Sequence, residues 1–158
     1  ERDNPPTKFA EVFALAREAG LHVTMHCDID QVGSIDNIRA ALIELGAERL
    51  DHGTNIVEDP ELVAYARDHG IGLTSCPLSN SFVTEEMKGK EIVELTAAGV
   101  KVSVNSDDPA YFGGYVGDNY LAFAERFDRS RNSIEIAWIS DDEKAELLER
   151  VDRFVSEN

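Results

Sequence analysis

The sequence predicts an α/β fold in which four parallel strands alternate with helices. Apolar stripes at helical spacing alternate along the chain with four short apolar or β-branched runs. These runs end near residues 26, 52, 76 and 105, so successive ends are 26, 24 and 29 residues apart. Such spacings leave room for one helix between consecutive strands. Periodicity alone leaves two architectures open, an open doubly wound sheet and part of a (β/α)₈ barrel.

Glycine, proline and capping residues mark the boundaries of the predicted helices. The first helix ends at Gly20, Ser34 caps the second, and Gly46 follows its end. Pro60 opens the third helix at its first turn, and Gly99 ends the fourth. The strands are short, partly β-branched and bounded by polar residues. The predicted helices cover 7–19, 34–45, 60–69, 85–98, 117–127 and 143–155, and the predicted strands cover 21–26, 49–52, 71–76 and 100–105.

Composition predicts one globular domain without a nucleic-acid or membrane partner. The 158 residues are 42% hydrophobic, and the chain is long enough to bury a core. With 31 acidic and 15 basic residues the net charge is −16, and no basic patch is visible. No apolar run is long enough to cross a bilayer. The polar start of the chain and two cysteines without a paired framework predict no signal peptide, reduced thiols and a cytoplasmic location.

Polar side chains capable of chemistry follow each of the four predicted strands. The carboxyl ends of parallel strands meet at one edge, so we expect these side chains to lie together. Imidazole and carboxylate at one edge are typical of divalent-metal chemistry with a hydrolytic water. The residues are His26, Asp28 and Asp30 after the first strand, Asp51 and His52 after the second, Ser75, Ser79 and Asn80 around the end of the third, and Asn105, Asp107 and Asp108 after the fourth.

These residues also have ordinary structural explanations. A lone histidine at a strand end is more often a hydrogen-bonded turn residue than a metal ligand. Asp107 or Asp108 could cap a helix whose first turn holds Pro109. Cys76 lacks a second cysteine two residues further on, which excludes a zinc ribbon and the cysteine-ligated deaminase pattern. No single residue is therefore strong evidence for a metal site, and the interpretation depends on finding such residues after all four strands.

Four motifs occur along the chain in a fixed order. They are TMHC at 24–27, RLDHGT at 49–54, CPLSN at 76–80 and VNSDDP at 104–109. Their order and spacing resemble those of the adenosine/adenine deaminase family. The stretch SDDPAYFGGYV at 106–116 is most similar to the adenine deaminase branch. The resemblance extends from about residue 5 to residue 127 and so covers most of the chain.

The resemblance implies a zinc-dependent (β/α)₈ barrel of which this chain supplies the C-terminal half, strands five to eight with their helices. Residues 1–158 would form a single partial barrel domain, with helices over 128–158 closing the barrel exterior. The family's zinc-binding His-x-His lies on its first strand, and no His-x-His occurs here. We therefore expect the N-terminal half of the same barrel, or a second copy of this chain, to cover the open strand edges. The residues expected to point partly into the interior are Val23, Met25, Leu50, Leu73, Val102 and Val104.

By the same resemblance, the activity is hydrolytic deamination of an adenine-like purine base or nucleoside. His26 and Asp107 would ligate one zinc ion. His52 and Asp107 would handle the protons of the attacking water. We expect the 158 residues alone to be inactive, since two of the family's ligands are missing from them. The predicted substrate-binding residues are Asp108, which would bind the purine at N7, and Ser79 and Asn80.

The chain departs from the family pattern at one catalytic position. The family reads His-Ala-Gly-Glu, and its glutamate protonates the ring nitrogen beside the attacked carbon. Three residues after His26 stands Ile29, which cannot move a proton, and Asp28 or Asp30 would have to replace the glutamate. The following Cys-Asp also resembles the His-Cys-Asp-Glu of cytosine deaminases, so an N6-substituted adenine or another amino-heterocycle is also open as substrate. Ile29 is also the main support for a non-catalytic homologue. A structural fragment that only completes a barrel in trans is a further, separate interpretation.

Overall fold

A computed structural model describes residues 4–27, 32–84, 86–122 and 134–157. Within these ranges four short strands form one parallel sheet whose spatial order equals their order in the chain. The strands are β1 (Thr24–Cys27), β2 (Arg49–His52), β3 (Gly72–Ser75) and β4 (Lys101–Val104). Helices connect each strand to the next, so the predicted α/β alternation is confirmed.

Eight α-helices and three short helical turns accompany the sheet in the described part of the chain. Of these helices, α4 and α6 are absent from the sequence-based prediction, although the possible helix start at Pro109 is indeed where α6 begins. No described helix is both long enough and apolar enough to cross a membrane. The helices are α1 (Ala10–Glu18), α2 (Ser34–Arg39), α3 (Pro60–Asp68), α4 (Pro77–Thr84), α5 (Gly89–Ala97), α6 (Pro109–Phe112), α7 (Val116–Leu121) and α8 (Asp141–Glu157), and the turns are Pro6–Phe9, Ala40–Glu44 and Thr54–Glu58.

Two predicted helix starts have different outcomes. Asp59 precedes α3 and its Oδ1 accepts hydrogen bonds from the backbone N–H groups of Glu61 and Leu62, at 3.0 and 3.2 Å. This is side-chain capping of the kind expected beside a proline at the first helical position. Ser34 does not cap α2, because it is the first helical residue and Gly33, with φ 78°, holds the cap position. A glycine adopts that left-handed backbone without steric cost.

The hydrophobic core lies between the sheet and the helices. Leu50, Leu73 and Val102 are fully buried and pack in one cluster with helix residues such as Ile38 and Leu62. The prediction that the apolar strand residues point partly into the barrel interior is therefore wrong. Val23 belongs to the same cluster, Met25 packs against it, and Val104 is 1% exposed. The residues corrected are Val23, Met25, Leu50, Leu73, Val102 and Val104.

The opposite face of the sheet is polar. Side chains alternate along a strand, so the neighbours of Leu50 and Leu73 point away from the helices. These neighbours include Arg49, Asp51 and Thr74, and Thr24 shares their face because its hydroxyl donates to Asp51. The alternation is thus visible in the sequence, but it does not say which face the helices cover.

Residues 134–140 lie across the amino ends of the strands. The Trp138 ring stacks on His22, which precedes β1, with ring centroids 4.6 Å apart and planes inclined by 14°. The guanidinium carbon of Arg49, the first residue of β2, lies 4.0 Å from the centre of the same ring. Such a cation over an indole face is an attractive arrangement. One aromatic side chain thus joins the starts of two strands.

The other two strands are contacted by residues of the same segment. Glu135 Oε2 lies 2.8 Å from Lys101 Nζ, at the first residue of β4. Ile136 packs so closely on Gly72, the first residue of β3, that a Cβ at this position would collide with it. The prediction that helices over 128–158 close the barrel exterior stays a prediction, while residues 134–140 cover the amino end of the sheet.

Candidate active site

His52 ends β2 at the carboxyl edge of the sheet and turns sharply out of the strand. Its φ is 62°, in the left-handed region that a non-glycine residue rarely adopts. Gly53 follows with φ 70°, and a Cβ there would lie 2.9 Å from the Leu50 Cβ. A glycine is therefore required directly after His52, since only glycine allows the tight turn that buries the imidazole. His52 is only 6% exposed.

A hydrogen bond to α4 fixes the protonation of the His52 ring. His52 Nδ1 lies 3.1 Å from Asn80 Oδ1, and Asn80 Nδ2 donates to the Met87 carbonyl oxygen at 3.4 Å. Because the amide nitrogen is used by Met87, the amide oxygen faces the ring and accepts from it. In the neutral imidazole the proton is then on Nδ1, so Nε2 is free to accept another.

Asp107 stands opposite that free nitrogen. Asp107 Oδ2 lies 3.5 Å from His52 Nε2 and accepts a hydrogen bond from Ser79 Oγ at 2.6 Å. Asp107 also has a left-handed backbone, with φ 56°. Two consecutive residues of α4, Ser79 and Asn80, therefore hold the carboxylate and the imidazole respectively. Both are buried, and their predicted contact with substrate stays a prediction.

His26 and Cys76 complete the group of metal-binding residue types at this edge. The His26 ring, exposed at the end of β1, meets the His52 ring edge-on with centroids 4.8 Å apart and planes at 74°. Ligand atoms of His52, Cys76 and Asp107 lie within 4.8 Å of one another, which makes these three a possible metal site. The sequence alone does not assign Cys76 to the site, although its position directly after β3 places it at the same edge. The assignment of zinc to His26 and Asp107 stays a prediction.

Burial dominates the ionisation of the two most enclosed groups. It lowers the pKa of His52 below the ordinary 6.5, and the nearby His26 lowers it further, against the opposing effects of Asn80, Asp107 and Asp51. Burial also raises the pKa of the Cys76 thiol to about 12, with a further contribution from the charge of Asp107. At neutral pH the site thus holds a neutral imidazole and a protonated thiol.

Five further predicted residues lie in four different situations. Asp108 is exposed beside Asp107, and its side chain forms no capping hydrogen bond to α6, so the capping explanation does not hold for it. Asp51 is turned into the polar face beneath His52. Asn105 donates from Nδ2 to Ser103 Oγ at 2.9 Å. Asp28 and Asp30, the predicted replacements for the family's glutamate, lie outside the described residues.

Comparisons with known proteins agree with the motifs. The model of the family described as adenosine deaminase matches residues 1–154. An adenine deaminase of Aspergillus fumigatus is 43% identical over 98% of this chain and 46% of its own length. The crystal structure of an adenine deaminase from Arthrobacter aurescens matches with a TM-score of 0.87 and 38% identity, over 99% of this chain and 50% of that one. A zinc-bound amidohydrolase of Burkholderia ambifaria matches with a TM-score of 0.82 and 26% identity, over 99% and 47%.

These matches confirm the resemblance inferred from the four motifs and the predicted fold class. The chain spans about half the length of the curated relatives and solved structures it matches. Four parallel strands in sequential order are half of the eight strands in a closed (β/α)₈ barrel. The carboxyl edge that holds His52 and Asp107 is the edge where such barrels bind their substrates.

Proposed function

Because the chain belongs to the adenosine deaminase family, we propose that it supplies half of the active site of an enzyme that hydrolytically deaminates an adenine-like purine. The observation that carries the proposal is the pairing of His52 Nε2 with Asp107 Oδ2 at 3.5 Å. Both residues have left-handed backbones, and such strained conformations cluster at functional sites. Adenine is the first candidate substrate, because curated relatives at about 40% identity are named adenine deaminases.

The residues of this chain supply the proton transfers that the reaction needs. Hydrolytic deamination forms a bond from water oxygen to the ring carbon and breaks the bond to the amino group, which leaves as ammonia. His52 accepts a proton from the water at Nε2, and Asn80 keeps Nδ1 protonated throughout. Asp107 stabilises the resulting imidazolium from 3.5 Å. The same proton then passes to the leaving nitrogen.

The donor set at this edge fits a zinc ion. Imidazole nitrogen and carboxylate oxygen are ligands that zinc accepts, and the possible metal site of His52, Cys76 and Asp107 already gathers such atoms. In our proposal His26 and Asp107 hold the ion together with ligands from the other half of the barrel. Zinc, when bound, lowers the pKa of its water towards neutrality. His52 then acts beside the ion as a proton carrier and not as a ligand.

Recognition of the purine is assigned to exposed groups at the mouth of the site. Asp108 lies next to Asp107, and its exposed carboxyl group is assigned to the hydrogen bond with the purine at N7. Asp28 or Asp30 would protonate the ring nitrogen in place of the family's glutamate. The partner required is the N-terminal half of the same barrel, because β1 and β4 are the open edges of this sheet. Self-association of the completed protein is a separate possibility that sizing would reveal.

The proposal is tested by ammonia release from adenine, adenosine and N6-methyladenine. The protein assayed should contain this chain within a completed barrel, with zinc measured on the same sample. Asp107→Asn should lose both activity and zinc, whereas the neighbouring Asp108→Asn should keep zinc and raise KM. A zinc-loaded protein that binds purines but releases no ammonia from any of them would instead support a non-catalytic homologue.

A further inference from the structure

Asp51 joins three strands on the polar face of the sheet. Its Oδ2 accepts a hydrogen bond from Thr24 Oγ1 of β1 at 2.8 Å, and its Oδ1 accepts one from Thr74 Oγ1 of β3 at 2.9 Å. Arg49 Nε lies 3.6 Å from the same Oδ1. Hydrogen bonds to an ionised carboxylate are stronger than those between neutral groups. The central strand β2 is therefore fastened on both sides by one side chain.

This connection lies directly before the point where the chain leaves the strand. Asp51 is the residue before His52, and it pairs in register with His26 of β1 and Thr74 of β3. His52 then adopts its left-handed backbone with φ 62°. A strained backbone conformation of this kind persists only when contacts with the surrounding structure fix it in place. Asn80 fixes the ring of His52 by a hydrogen bond, and Asp51 fixes the end of strand β2 directly before His52.

We propose that Asp51 is a positioning residue, which sets the place of the His52 imidazole by tying β2 to Thr24 and Thr74. The inference rests on the proposed function, because it gives Asp51 its effect through the proton transfer at His52 Nε2. The hydrogen bonds of Asp51 act on β2 and on the strands beside it, and its charge also acts to raise the pKa of His52. The hydroxyls lie two residues before His26 and Cys76, so the connection spans the base of the whole site.

The test compares kcat and KM of variants in the completed, zinc-loaded enzyme. Asp51→Ala should lower kcat by about 10- to 100-fold, the scale expected for a displaced catalytic group, with KM changed by less than about twofold. Asp51→Asn keeps one accepting oxygen and an amide that can donate to the second hydroxyl. It should stay within about threefold of wild-type kcat. Zinc content should equal that of the wild type in both variants.

The matched control is Glu135→Gln, at the other end of the strands. Glu135 and Asp51 are both partly exposed carboxylates, with 35% and 31% of their side chains accessible, and both pair with a basic residue. Glu135→Gln should leave kcat within about twofold, since its partner Lys101 begins β4, at the opposite end of the sheet from His52. An equal kcat loss in Asp51→Ala and Glu135→Gln would overturn the proposal, because general destabilisation would then explain both.

Threonine variants keep the proposal testable if Asp51→Ala fails to fold. Thr24→Val and Thr74→Val preserve shape and remove one hydroxyl donor each. Each should lower kcat by about three- to tenfold at unchanged KM, and their losses should not add to that of Asp51→Ala. Unchanged kcat in both threonine variants would overturn the positioning role. A wild-type enzyme without deaminase activity would instead contradict the proposed function, so the two failures are distinguishable.

Discussion

The two ends of the sheet are built on different principles. At the carboxyl end, His52 and Asp107 are two of the three non-glycine residues with positive φ in the described chain. At the amino end, Trp138 stacks on His22 and lies under Arg49, and no residue of the segment 134–140 has a positive φ in the structure. The carboxyl end carries strain and buried polar groups, whereas the amino end carries close packing.

The residues that determine activity and those that determine stability therefore lie at opposite ends of the strands. A (β/α)₈ barrel places its chemistry at the carboxyl ends of strands and its stabilising contacts at the amino ends. Substitutions at the carboxyl edge of the sheet should therefore change kcat more than the free energy of unfolding. Substitutions beneath residues 134–140 should change folding more than turnover. Four predictions test that division, in order of decreasing effect.

The largest effect is expected for His52→Gln in the completed enzyme. Glutamine cannot accept and return a proton, so activity should fall by about 10²- to 10⁴-fold, the usual contribution of a general base. Zinc content should be retained, since His52 is assigned to proton transfer. Steady-state kinetics and metal analysis of one preparation measure both. Loss of zinc with His52→Gln and its retention with Asp107→Asn would invert the two roles.

The amino end is tested most strongly by Gly72→Ala. The new methyl group would collide with Ile136, and forced overpacking of this kind costs about 1 to 3 kcal/mol of unfolding free energy. Gly117→Ala is the matched control, because a Cβ there meets nothing and the position is within α7. Denaturant unfolding gives both values. Activity per folded molecule should stay normal in both, and a Gly72→Ala enzyme with intact stability but low kcat would break the comparison.

The sequence is enough to locate the carboxyl edge of the sheet, because the position of this edge depends only on the order of the strands. The carboxyl ends of parallel strands converge, so His26, His52 and Asp107 can be grouped without coordinates. The hydrogen-bond partners of His52 and Asp107 cannot be identified in this way, because Asn80 and Ser79 are each 28 positions away from them in the chain. Local periodicity carries no information about which of several polar residues meet across such a separation.

Two other features are beyond sequence reasoning for related reasons. The helix α4 starts at Pro77, directly after a strand, and of its few apolar residues Phe82 and Val83 are exposed, so no buried stripe marks it. The apolar residues of the strands are predicted on the wrong face, because alternation gives two faces and not the identity of the covered one. Zinc ligation, self-association and a cytoplasmic location depend on groups or conditions outside this chain, and they stay predictions.

A smaller effect is expected for Trp138→Leu. Leucine keeps apolar volume but loses the stack on His22 and the face presented to Arg49, which together are worth about 1 kcal/mol. Tyr111→Leu is the control, because Tyr111 is an aromatic residue 87% exposed on α6 near the other end. Thermal unfolding should separate the two variants. Equal melting temperatures would show that residues 134–140 contribute little to the amino end.

The smallest effect is the pH dependence of stability that His52 contributes. Its pKa is lowered by burial below the ordinary 6.5, so as pH falls through that value the unfolded chain binds a proton that the folded chain resists. Stability should therefore decline on acidification between about pH 7.5 and pH 5.5, by no more than about 1.4 kcal/mol, the limit for a single titrating group over this range. In His52→Gln this part of the decline should vanish. Metal-free protein is required for the thermal unfolding, since a bound ion would also compete with protons. If the melting temperatures of wild type and variant fell equally with pH, the titrating group would be a residue other than His52. The carboxyl end of the sheet would then be no more sensitive to acid than the amino end.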